Sequence, residues 1–141
     1  MTREILFRGK RKDNGNWIEG YFVLLAINDG LKHAIYKGTD EGRFILFEVI
    51  PETVGQFTGL CDKNGNKIFE GDILTLEDTY NGDVQFSCGV FGIEWTEMKR
   101  HKNLRGFGAR HNLRTFEDGV NEDLEIIGNI FDNPELLEEK L

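Results

Sequence analysis

Three consecutive stretches decide the fold: WIEGYFVLLAI (17–27), NDG (28–30) and LKHAIY (31–36). In the first, Tyr21, Val23 and Leu25 recur at every second position. That period belongs to a β-strand with two unlike faces, not to a helix. Asn28-Asp29-Gly30 supplies residues that tolerate the positive φ of a tight turn. The third stretch resumes an apolar strand pattern, so the three together predict an antiparallel hairpin.

The same pattern of strand and turn extends outward in both directions. Upstream, Ile5 and Phe7 alternate with Leu6 and Arg8, which suits a first strand. Lys12-Asp13-Asn14-Gly15-Asn16 then forms a turn built on Asn14-Gly15. Downstream, residues 37–42 read as a loop, and Arg43 to Ile50 (RFILFEVI) is a nearly continuous apolar run. Its Phe, Ile and Val favour a strand buried on both faces, although periodicity alone fits a short helix as well. Pro51 breaks the pattern. Residues 51–60 read as a junction, and strand segments are then predicted at Ile73–Leu76, Val84–Ser87, Gly89–Thr96 and Leu124–Ile130. The turns between them include Asp62–Asn66 and Asn81-Gly82-Asp83. Asp132-Asn133-Pro134-Glu135 resembles a helix start, and Leu136, Leu137 and Leu141 extend it to about two turns.

Lys12–Gly20 and Asp62–Gly71 echo each other, each an Asn-Gly turn followed by an apolar stretch ending in Glu-Gly. A duplicated hairpin and convergence on common hairpin chemistry both explain this, and convergence is the simpler account. Strands recurring every 8–12 residues are typical of small antiparallel β structures. Residues 68–130 supply about five, enough for a small closed barrel that hides its edges.

Composition bounds what such a fold can do. The chain has 141 residues, one domain or two very small lobes, and can bury a sizeable core. Glycine numbers 17, well above the usual share, and phenylalanine 11; the apolar fraction of 39% and the aromatic content of 11% exclude a disordered chain. No apolar run approaches the length of a membrane span. Acids outnumber bases 25 to 17, a net charge of −8, unlike a generic duplex-coating protein. The charge is segregated, however. Residues 99–114 carry +6 and no acid, which leaves −14 for the rest. The two cysteines, Cys61 and Cys88, show no zinc-ligand spacing and fit as small core residues. Whether they lie near each other stays open at this level. The N-terminus carries no secretion-type leader pattern, so a cytoplasmic protein with reduced thiols is expected.

The block Gln56-Phe57-Thr58-Gly59-Leu60-Cys61-Asp62-Lys63-Asn64-Gly65, continuing to Ile68-Phe69-Glu70-Gly71-Asp72-Ile73, resembles the YopX family of small phage and prophage proteins. Arg3–Lys10, Gly15–Gly20 and Ile127–Leu137 are similar to the same family, so the resemblance spans nearly the whole chain. It implies a mainly β protein whose C-terminal part is like an SH3-type barrel, in a bacterial host cell. It implies no activity and no catalytic residues. The expected architecture is an N-terminal antiparallel meander over 1–55, packed on an SH3-like barrel over 56–141 that ends in a short helix.

The residues offer little catalytic chemistry. His33, His101 and His111 are the only imidazoles, and the last two sit among cations, which disfavours a metal. Glu70 and Asp72 flank Gly71 and could line a catalytic centre, but a Gly-Asp step entering a strand more often serves the backbone. Ser87 is the only serine, and neither it nor Cys88 has an identifiable base nearby in sequence. Gly106-Phe107-Gly108 lacks the rest of a phosphate-binding loop. No cofactor, metal or enzymatic activity is therefore expected. Trp17 and Trp95 are expected as core anchors.

The candidate binding residues are Lys99, Arg100, Lys102, Arg105, Phe107, Arg110 and Arg114. Guanidinium groups around an aromatic ring can grip phosphate while the ring stacks a base. They can equally meet an acidic protein surface, including the chain's own tail with Glu135, Glu138 and Glu139. A solvated loop explains the same composition. Protein partners or self-assembly are the leading expectation, and nucleic acid the alternative.

Overall fold

The computed structural model describes residues 4–28, 30–78, 80–87, 89–96, 110–112 and 123–138. The chain divides into two compact units, Met1–Phe57 and Thr58–Leu141.

The first unit contains β1 (Phe7–Lys10), β2 (Trp17–Ile27), β3 (Gly30–Gly38) and β4 (Phe44–Glu48), then a 3-10 turn at Pro51–Thr53. β5 (Gly55–Cys61) starts in this unit and crosses the division at Phe57. The predicted hairpin is present, with Ile27 opposite Gly30 and Tyr21 opposite Tyr36. The strand order is β4-β3-β2-β1, with the start of β5 beside β1. The first strand begins two residues later than the alternation of Ile5 and Phe7 predicts, and Ile5 is exposed.

This sheet curls back on itself. Arg11 bridges Val49, Lys12 N–H donates to Glu48 O at 3.0 Å, and Ile50 N–H donates to Lys10 O at 2.8 Å. The end of β1 thereby meets the end of β4, although β2 and β3 lie between them in the sheet. Ile18, Ile35 and Val49 fill the interior, with Phe7, Phe22, Phe47 and Val54 packed against them. Gly9 permits the closure: a Cβ there would sit 3.1 Å from Val49 Cβ. Thr53 locks the same corner, accepting from Lys10 N–H at 2.9 Å and donating to Ile50 O at 2.6 Å.

RFILFEVI is not buried on both faces. β4 ends the sheet order, and Phe44, Ile45 and Leu46 are 54%, 45% and 42% exposed. The run reads as core because it is apolar. Its burial depends on its neighbours, and β3 flanks only one side of it.

The second unit takes the end of β5, β6 (Lys67–Phe69), β7 (Asp72–Leu76), β8 (Tyr80–Ser87), β9 (Val90–Trp95), β10 (Arg110–Asn112) and β11 (Leu124–Asn129). Five of these form a sheet in the order β10-β9-β8-β7-β11, every ladder antiparallel. Its core gathers Leu60, Ile68, Leu74, Val84, Ile93, Trp95 and Leu124. Trp95 is the anchor that the sequence predicts.

Three expectations need correction here. Among the described residues no ladder joins β10 to β11, so a closed SH3-like barrel is not seen in this unit. The turn between β7 and β8 is not Asn81-Gly82-Asp83 but lies at Glu77 and Asp78, both at positive φ (53° and 56°). Asn81–Asp83 lie inside β8, where Gly82 makes room for Trp95: a Cβ would come within 2.8 Å of its ring. The C-terminal helix is a single 3-10 turn, Pro134–Leu137. Asn133 does not cap it, because its Oδ1 reaches back to accept Asn129 N–H at 3.2 Å.

The two echoing turns share a glycine at positive φ, 73° at Gly15 and 82° at Gly65. Their hydrogen bonding differs. Asn14 Oδ1 accepts Asn16 N–H in the first, whereas in the second the preceding Asp62 accepts both Asn64 and Asn66 N–H. Different solutions around one dipeptide fit convergence better than duplication.

Candidate functional site

Of the predicted binding residues, Lys99, Arg100, Lys102, Arg105, Phe107 and Arg114 lie outside the described residues, as does His101. Arg110 is placed by its backbone at the start of β10, in register with Glu94 of β9. Glu94 is in turn opposite Asp83 on β8. Gln85 joins those two carboxylates, its Nε2 donating to Asp83 Oδ2 at 2.9 Å and to Glu94 Oε2 at 2.6 Å. His111 also lies in β10, and His33 is half-buried in β3 with its ring 5.7 Å from that of Phe22. Among the described residues no cluster of His, Cys, Asp and Glu is placed to hold a metal ion. Cys88 lies outside the described residues, and Cys61 is half-buried at the end of β5.

The Glu70-Gly71-Asp72 step is used by the backbone. Asp72 is 2% exposed, and its Oδ2 accepts Phe69 N–H at 2.7 Å across a turn in which Gly71 takes φ +88°. Glu70 lies in that turn, outside β7, so the two carboxylates do not share a strand face.

Trp17 is not a core anchor either. It is half-buried on the outer face of the first unit, with Arg8 Cζ 4.7 Å and Lys10 Nζ 5.7 Å from its ring centre. In the β1–β2 register Trp17 pairs with Lys10, and Arg8 lies two positions away on the same face. Cations over an indole face are attracted by its quadrupole.

The larger feature is the edge of β4 together with the outer face beside it. Cross-strand partners share a face, so Tyr21, Tyr36 and Leu46 form one row across β2, β3 and β4. Phe44 joins them by lying over Gly38, which has no side chain to stop it, and stacks on Tyr36 with ring centres 5.1 Å apart. Tyr21 is 58% exposed, and Tyr36, Phe44 and Leu46 are exposed as well. A groove of about 500 Å³ adjoins the edge, lined by Arg11, Lys12, Asp13, Leu46, Phe47 and Glu48. Within it Arg11 Cζ lies 4.4 Å from the Phe47 ring centre while its Nε donates to Asp13 at 2.9 Å. Lys12 Nζ donates to Glu48 at 3.1 Å. Charged turns thus flank an apolar strand edge, an arrangement suited to holding another extended chain. The run RFILFEVI carries this site in the sequence, but its apolar composition reads first as core.

The YopX protein family matches residues 6–138, nearly the whole chain. The chain belongs to the YopX family. Among solved structures it is similar to the crystal structure of protein EF1440 from Enterococcus faecalis, at 23% sequence identity and a TM-score of 0.55. That likeness covers 97% of this chain and all of the other, and concerns the fold alone. No curated protein matches. No helix among the described residues is long and apolar enough to cross a membrane.

Proposed function

We propose that this YopX protein is a non-enzymatic phage or prophage accessory protein. It works in the cytoplasm of a bacterial host through protein–protein association, first of all with its own copies. One observation carries the reading. The edge strand of the first unit presents three consecutive exposed apolar residues, Phe44, Ile45 and Leu46, beside the stacked ring of Tyr36. Sheet edges are usually guarded by charge, proline or a bulge. Among the described residues this one carries charge at its ends, Arg43 and Glu48, and none at Phe44–Leu46. The charge of residues 99–114, +6 against −14 in the rest of the sequence, supports a second, electrostatic contact with an acidic partner surface.

Light scattering across a concentration and salt series tests the reading. A mass above that of the monomer, reduced by Phe44→Lys, supports it, and a monomer at every concentration overturns it. Nucleic-acid binding through Lys99, Arg100, Lys102, Arg105, Phe107, Arg110 and Arg114 is the second reading, favoured by their charge density. It predicts salt-dependent binding of a single-stranded oligonucleotide that a charge-reversed Arg100/Arg105/Arg110 variant loses.

A further inference from the structure

We propose that two copies of the chain pair through their β4 strands, antiparallel about a two-fold axis at Ile45. The proposal rests on the association reading above and specifies its geometry.

The β3–β4 ladder fixes which backbone groups of β4 face away from the sheet. Val49 N–H donates to His33 O at 2.9 Å, and Thr39 N–H donates to Arg43 O at 2.6 Å. Hydrogen-bonded and non-hydrogen-bonded pairs alternate along an antiparallel ladder. Arg43, Ile45 and Phe47 therefore turn their peptide groups toward β3, and Phe44, Leu46 and Glu48 turn theirs outward. At Glu48 the outward carbonyl already accepts Lys12 N–H. At the other end the chain leaves the strand through a turn in which Gly42 N–H donates to Thr39 O and Gly42 takes φ +79°. Among the described residues the open stretch is Phe44–Leu46.

That stretch is complementary to itself. With the axis at Ile45, Phe44 of one copy lies opposite Leu46 of the second copy, and the reverse. Both residues direct N–H and C=O outward, so the two pairs exchange four hydrogen bonds. The faces agree too, because Phe44 and Leu46 lie on one face and Ile45 meets its own equivalent on the other. An axis at Leu46 would set Phe44 against Glu48, placing a ring against a carboxylate and calling on a carbonyl that Lys12 occupies.

The ends of the ladder match in charge. The turn before β4 carries Asp40, Glu41 and Arg43, and it falls at the groove of the second copy. Arg11 and Lys12 wait there for the acids, and Asp13 and Glu48 for the arginine. The Arg11–Asp13 and Lys12–Glu48 pairs thus extend into a network, repeated by the two-fold axis. The three apolar side chains offer on the order of 200–300 Å² per copy, against about 800 Å² per partner in a standard interface. The pairing is accordingly weak, salt-sensitive and specific in register.

Cysteine cross-linking reads the register directly. In a Cys61→Ala, Cys88→Ala background, Ile45→Cys should give a disulfide-linked dimer under mild oxidation. Phe44→Cys or Leu46→Cys alone should link at least about tenfold more slowly, since each lies diagonally from its own equivalent, beyond disulfide reach. Mixing the Phe44→Cys and Leu46→Cys proteins should restore the link. Leu46→Lys, at an exposed position, should shift scattering toward the monomer while the circular dichroism and melting temperature of the fold are retained. Equal linking at all three positions overturns the register. So does a concentration-dependent dimer in which Ile45→Cys fails to link, while association survives. A monomer at every concentration overturns both.

Discussion

Asp62 and Ile126 stand 64 positions apart in the chain, and the buried Oδ2 of the one accepts the backbone N–H of the other at 2.9 Å. The other carboxylate oxygen accepts Asn64 N–H at 3.0 Å and Asn66 N–H at 2.9 Å. One side chain therefore shapes the turn between β5 and β6 and ties it to β11. Lys63 N–H adds a bond to Leu124 O at 2.9 Å. Asp62→Ala strips an acceptor from three backbone donors at once. The expected loss in the second unit is about 3 kcal/mol. Urea unfolding followed by Trp95 fluorescence, in a Trp17→Phe background, measures it. A loss below about 1 kcal/mol would mean that water replaces the carboxylate without penalty.

Local chemistry was readable from residues alone. The hairpin over 17–36 needs only a two-residue period and an Asn-Asp-Gly turn, both carried by neighbours in sequence. What depends on distant residues was not. Asp62 reads as a turn residue, and nothing near it announces Ile126. RFILFEVI reads as interior, yet sheet order leaves its edge exposed. Asn81-Gly82-Asp83 reads as a turn because glycine is commonest there, whereas Gly82 answers to the ring of Trp95 on the next strand. The candidate interaction edge was hidden for the same reason: composition reports apolarity, and only topology reports which apolar strand is left at the rim. The basic segment was legible as charge, and of its proposed binding residues only Arg110 has a described place, beside Glu94.

Gly82→Ala tests the packing account of that glycine. An added Cβ would meet Ile93 Cγ2 at 2.6 Å, Glu94 O at 2.8 Å and Trp95 Cε3 at 2.8 Å. One of these is backbone and the others belong to core side chains, so no flexible tip can yield. Overpacking of this kind is expected to cost about 2–3 kcal/mol. Thermal unfolding should fall accordingly, with a red shift in Trp95 emission as the ring is displaced. An unchanged melting temperature would show that the ring has room to move.

The two tryptophans should behave unlike each other. Trp95 is 7% exposed within a cluster of seven buried apolar residues. Trp17 is half-buried under Arg8 and Lys10. Trp95→Ala is expected to cost about 3–5 kcal/mol through lost burial and a cavity, and Trp17→Ala about 1–2 kcal/mol. Single-tryptophan variants separate them by acrylamide quenching, with Trp17 the more accessible. Equal quenching would place Trp17 in the interior.

Asp13 carries the pH dependence that the first unit makes visible. Arg11 donates to its carboxylate from Nε at 2.9 Å and also from Nη2. Those hydrogen bonds are the main reason its carboxyl lies below the ordinary value of 3.8. Desolvation opposes them, and the Arg11 charge and the backbone N–H groups of Asp13 and Asn14 assist. A carboxyl whose folded value is depressed stabilises the fold above its unfolded value, and the benefit disappears as pH falls through the folded one. The contribution is therefore constant through neutral pH and fades only below about 4. The pair is exposed, so the titration itself is the proper readout. Carboxyl chemical shifts should give Asp13 a midpoint below 3.8, rising toward that value in Arg11→Ala. The same substitution uncovers the Phe47 ring, over which Arg11 lies at 4.4 Å, so the Phe47 ring resonances should move with it. A wild-type midpoint at or above 3.8 would show that Arg11 and Asp13 are not paired in solution, and the groove would then lose the charges that border it.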